Sequence, residues 1–73
     1  MKSNELEQLG AYLRKIFQST ASSLEVRARP RKDDSAEVYI DDEFVAIVYR
    51  DDEDGELSYN VSMAILQMDL DDL

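Results

Sequence analysis

Along the first part of the chain, Leu6, Leu9, Leu13, Ile16 and Phe17 recur at spacings of three and four, laying an apolar stripe on one face of a helix. The stripe predicts a helix over about 4–18. Asn4 is placed to cap its start, with Glu7 three positions on reaching back in the capping-box sense. Arg14 and Lys15 fall near its end, where the helix dipole favours cations. Gly10 is the poor helix former of the run, costing about 1 kcal/mol against alanine, and close approach of another backbone would account for it. A polar connector follows from Ser19 to Ser23.

From Leu24 the apolar period drops to two. Leu24, Val26 and Ala28 point one way, while Glu25, Arg27, Arg29 and Arg31 point the other, which predicts a strand over 24–31. Pro30 lacks an amide donor, so this strand belongs at a sheet edge. A three-residue loop, Lys32 to Asp34, leads into a second strand over 36–40 and sets Val26 opposite Ile40, Ala28 opposite Val38, and Arg29 opposite Glu37. After the turn at Asp41 to Glu43 comes a third strand over 44–50. A further turn, Asp51 to Gly55, leads to a last strand over 56–66, where Leu57, Tyr59, Val61, Met63 and Ile65 alternate with Ser58, Asn60, Ser62 and Ala64. Residues 68–73 read as a frayed acidic tail. The fold class is α+β, one helix packed on a four-stranded antiparallel meander in a single domain of residues 1–73.

The third strand breaks the alternation. Phe44, Ala46 and Val48 occupy one face and Val45, Ile47 and Tyr49 the other, so both faces want cover. One helix covers one face of a small sheet, which leaves the second set for a partner or for water. Val45, Ile47 and Tyr49, joined by Tyr39, are therefore the candidate interface of a homodimer. The acids flanking FVAIVY also serve as gatekeepers against aggregation.

At 73 residues the chain hides only about 60% of the surface its unfolded form exposes. It has neither cysteine nor histidine, so disulfides and the usual zinc ligands are missing, and oligomerisation is a common remedy for such small cores. No signal-peptide core is visible near the N-terminus, and the longest apolar run, Phe44 to Tyr49, is too short to span a bilayer, which points to the cytoplasm. The net charge of −9 is unevenly laid out. Residues 1–32 hold seven basic side chains against three acids, a balance of +4, whereas 33–73 set Arg50 alone against fourteen acids, a balance of −13. An acidic whole repels nucleic acid at long range.

Arg27, Arg29 and Arg31 lie on one face at strand spacing beside Tyr39, a candidate polar binding surface for phosphate, an RNA backbone or an acidic peptide; pairing with the chain's own acids is the structural alternative. In the acidic loop, Asp52, Asp54 and Gly55 fit positions three, five and six of a calcium loop, but Arg50 and Val61 stand where positions one and twelve need oxygen ligands. Weak divalent binding remains as an alternative to a solvated hairpin turn. The acids sit in turns beside water, the serines have no histidine to activate them, and two glycines make no phosphate loop, so the expectation is no enzyme and no cofactor.

The segments AYLRKIF, KDDSAEVYI, DEFVAIVYRDDEDGELSYN and MAIL resemble a family of short, mostly alphaproteobacterial proteins known only as a domain of unknown function. The resemblance covers about four-fifths of the chain and departs from it at QSTASS, where relatives have a shorter link containing Gly or Pro. It implies a single helix on an antiparallel sheet, with no assigned activity, cofactor or site. The functional expectation is a small acidic protein-interaction or scaffolding module acting as a homodimer, with a metal-responsive protein and a nucleic-acid-directed or DNA-mimicking regulator as rivals.

Overall fold

The computed structural model describes residues 1–17, 23–53 and 55–73. Helix α1 (Ser3–Ile16) is followed by strands β1 (Leu24–Arg29), β2 (Lys32–Ile40), β3 (Glu43–Asp51) and β4 (Ser58–Ser62), then a short helix α2 (Gln67–Asp71). The strands form one antiparallel sheet in the order β1-β2-β3-β4, the expected meander, with β1 and β4 at its edges. Gln18 and most of the connector, 19–22, lie outside the described residues, as does Asp54.

Helix α1 starts earlier than the sequence pattern suggests. Lys2 is the capping residue and Glu5, rather than Glu7, reaches back, its Oε1 accepting the Lys2 amide at 3.1 Å. Leu13 carries the apolar stripe into the core beside Leu24, Val38 and Ala46, with Val26, Ile40 and Val45 packed around them. Gly10 is buried, but its neighbour is a side chain rather than a backbone. A Cβ there would meet Arg14 Nη1 at 3.1 Å, and that same nitrogen donates to the Leu24 carbonyl at 2.8 Å. Gly10 thus leaves room for Arg14 to fold back and satisfy an acceptor on the edge strand β1.

The β1–β2 connection is tighter than the expected three-residue loop. Arg29 faces Lys32 across a two-residue turn of Pro30 and Arg31, so Pro30 lies in the turn and not in the strand. Proline presets the first turn position and Arg31 takes a left-handed φ of 64°, a place glycine normally fills. Val26 consequently faces Val38, Ala28 faces Ala36, and Arg27 faces Glu37. From Leu24 to Ala28 the expected register is off by two residues, a slip that leaves these side chains on their expected faces, and the ladder then shifts between Ala28 and Arg29, which faces Lys32 instead of Glu37. At the β2–β3 turn, Asp41 and Asp42 adopt φ of 53° and 65°, the two positive values of a type I′ hairpin, so Glu43 already belongs to β3.

A bulge in β3 overturns one expectation about faces. Val38 pairs with Ala46 and Tyr39 with Phe44, leaving Val45 as an extra residue. The insertion keeps Val45 against the core and turns Phe44 to the opposite side, where its ring meets Tyr39 edge-on at 5.9 Å. Alternation alone puts Phe44 with Ala46 and Val48. The ladder between β3 and β4 ends at Ile47 and Ser62, so the expected strand over 56–66 is shortened to 58–62 and 63–66 run on outside the sheet. Within the acidic C-terminal segment, Asp69 accepts the Leu66 amide at 3.2 Å and residues 67–71 form a helical turn with every side chain exposed.

Two stability outcomes follow from these placements. Arg31→Gly relieves the left-handed strain and is expected to raise unfolding stability by about 0.5–1 kcal/mol in chemical denaturation. Leu24→Ala, at a side chain only 1% exposed, is expected to cost about 2–5 kcal/mol, comparable to the whole stability of so small a domain, and to abolish the cooperative transition followed by circular dichroism.

Candidate functional site

The helix covers one face of the sheet, and the other carries the side chains of interest. Arg27 lies 4.1 Å from the centre of the Tyr39 ring and Tyr39 contacts Phe44, so cation, phenol and phenyl form a continuous stack across three strands. Ile47 is half-buried on this face, while Phe44 and Tyr49 are 49% and 43% exposed. Of the expected interface residues, Tyr39, Ile47 and Tyr49 are brought together on this face. Val45 is withdrawn to the core side by the bulge, and Phe44 takes its place. The sequence offers no sign of that exchange, because a bulge is a property of two strands and the turn between them.

The arginines are committed to local acceptors. Arg27 binds Asp42 at 2.6 Å and Glu25 at 3.1 Å, and the two carboxylates hold its pKa above the ordinary value. Arg29 donates to Ser35 Oγ at 3.2 Å, helping to bury a serine whose cross-strand neighbour is Tyr49. Arg31 is exposed in the turn and does not continue the strip. The Tyr39 hydroxyl donates to Glu37 at 2.9 Å, a bond that raises its pKa.

On the helix face a second polar group joins elements far apart in sequence, and sequence reasoning did not single it out. Glu5 accepts from Arg50 Nη1 at 3.2 Å and from the Tyr59 hydroxyl at 2.8 Å, besides the Lys2 amide. Its side chain is 16% exposed. The Lys2 amide, the Tyr59 hydroxyl and the Arg50 guanidinium all favour the charged form and hold the carboxyl at about 2. The one available signal was Arg50, the only cation after residue 32, sitting among acids.

Two hollows flank β3. One, of about 360 Å³, is lined by polar groups including Asp34, Asp51, Asp52 and Asn60. The other, of about 620 Å³, lies where 63–66 leave the sheet and has Val45, Ile47, Met63, Ile65 and Leu66 among its lining residues. Among the described residues no group of three His, Cys, Asp or Glu side chains is arranged to hold a metal ion, and Asp54 of the calcium-like loop is not described. No helix among them is long and apolar enough to cross a membrane.

Residues 5–69 match the profile of a family described as "Protein of unknown function (DUF3126)". The chain belongs to that family. The match takes in most of α1, the whole sheet and the start of α2, so the DUF3126 unit is this helix-on-sheet arrangement. No curated protein and no solved structure matches the chain.

The Glu5 cluster has a pH signature. Its carboxyl titrates near 2 when folded against an ordinary 4.5, so the unfolded chain binds more protons between those values. The stabilisation is fully present above about 4.5 and is lost as pH falls toward 2. Glu5→Gln is expected to flatten the dependence of the urea midpoint on pH between 5 and 2.5, and an unchanged slope would show that the cluster does not form.

Proposed function

We propose that the chain is a cytoplasmic, non-enzymatic protein-interaction module that works as a homodimer joined through the helix-free face of its sheet. The observation that carries this reading is unfinished burial. The protein exposes 5755 Å², whereas a monomer of its 8.4 kDa mass is expected to expose about 4,600 Å². The surplus, about 1,100 Å², exceeds the roughly 800 Å² that each partner buries in a standard interface, and it is shared between this face, where Phe44 and Tyr49 are exposed, and the C-terminal segment from Met63 to Leu73. Tyr39, Phe44, Ile47 and Tyr49 supply an aromatic-rich centre, the composition favoured in interface cores. Within that patch Glu37 lies between Arg27 and Ile47 and accepts the Tyr39 hydroxyl, so the one acid at its middle is already paired.

The non-enzymatic reading is supported by the site chemistry. The carboxylate with the largest displacement, Glu5, is pushed toward permanent ionisation by structural partners, the opposite of what a general acid at neutral pH needs. The arginine strip serves the fold through Asp42, Glu25 and Ser35, which favours an internal role over a phosphate grip.

Light scattering on the eluting protein at high micromolar concentration is expected to give twice the 8.4 kDa chain mass. Tyr49→Asp, a change at an exposed position, is expected to raise the dimer dissociation constant at least about ten-fold with an unchanged circular dichroism spectrum. A monomer mass for the unaltered chain at that concentration would refute the dimer.

A further inference from the structure

The last rung of the β3–β4 ladder is Ile47 with Ser62, yet β3 begins at Glu43. Residues 43–46 thus have β2 on one side and, among the described residues, no strand on the other, a stretch of about 13 Å of strand edge. The chain beyond Ser62 remains nearby without pairing, and the gap between them is the hollow of about 620 Å³. That size lies within the roughly 300–1,000 Å³ typical of ligand sites. Its far wall is apolar, with Ile65 67% and Leu66 54% exposed, and the charged side chains among its lining are two acids, Glu43 and Asp69.

We propose that this slot is a strand-addition site for an extended apolar peptide bearing lysine or arginine, supplied by a protein other than this chain. Strand edge provides main-chain donors and acceptors, Val45, Met63 and Ile65 provide apolar contact, and Glu43 and Asp69 select cationic side chains. The balance of −13 over residues 33–73 extends the same preference to the approach. A second copy is a poor occupant. Its own apolar segment, 63–72, carries Asp69, Asp71 and Asp72 and meets like charge. Its basic strand β1 has a sheet attached behind it and cannot enter a slot. The slot shares Phe44 and Ile47 with the proposed dimer face but not Tyr49, so a change at Tyr49 separates the two readings.

The test is fluorescence anisotropy at 150 mM salt with a labelled seven-residue peptide of alternating valine and lysine, and a counterpart with glutamate in place of lysine. The lysine peptide is expected to bind, with amide shifts in the labelled protein confined to 43–47 and 62–66, and the glutamate peptide to fail. Ile65→Asp adds negative charge while removing apolar wall at an exposed position, so it separates strand addition from general attraction. It is expected to weaken binding at least about ten-fold. Equal or tighter binding by Ile65→Asp, equal binding of the two peptides, or no binding of the lysine peptide would each overturn the proposal. Tyr49→Asp, outside the slot, is expected to leave peptide binding no weaker even where it dissolves the dimer.

Discussion

A single helix has to hold a four-stranded sheet, and it does so by crossing the strands with a polar anchor at each end. Glu5 fastens its first turn to Arg50 of β3 and Tyr59 of β4, while Arg14 fastens its last turns to the Leu24 carbonyl of β1. Nine residues of helix separate the anchors, about 14 Å, and three inter-strand spacings amount to about the same length. Leu13 is therefore delivered over β1 and β2 with little latitude, and the core of Leu24, Val38 and Ala46 closes beneath it. Gly10 belongs to the same arrangement, since a Cβ there would stand 3.1 Å from Arg14 Nη1 and press on the guanidinium that lies back along the helix.

That economy determines what stays uncovered. A 14-residue helix spends its apolar stripe on one face, and among the described residues no second layer closes the other. The bulge at Val45 sharpens the division by giving the core one more aliphatic side chain and the outer face one more ring. The β4 ladder ends at Ser62, next to that bulge, and the apolar alternation of Met63 and Ile65 is left beside the sheet instead of within it. The bulge thus adjoins both the aromatic face and the slot.

Much of the architecture was legible from periodicity. The shift from a period of three and four to a period of two marks the α1–β1 boundary, and turn residues separate the strands in the order the sheet uses. What escaped were features that depend on how two segments meet. The Pro30–Arg31 turn is shorter than composition suggests because an arginine accepts a left-handed backbone that sequence rules reserve for glycine. The face of Phe44 depends on a bulge, and the length of β4 depends on what its neighbour can pair with. Tyr39, Ile47 and Tyr49 could be grouped from alternation alone, whereas Glu5 could not, since its partners lie 45 and 54 positions away in the chain.

The treatment of the β1 margin has a further consequence. Arg14 occupies a carbonyl at one end of that margin, Pro30 turns the chain away at the other, and Arg27 and Arg29 stand between them. Such a border resists templating by another molecule, which leaves the sheet with one sealed side and one receptive side. Head-to-tail growth requires two compatible ends, so end-on stacking of these sheets terminates instead of running on into fibres.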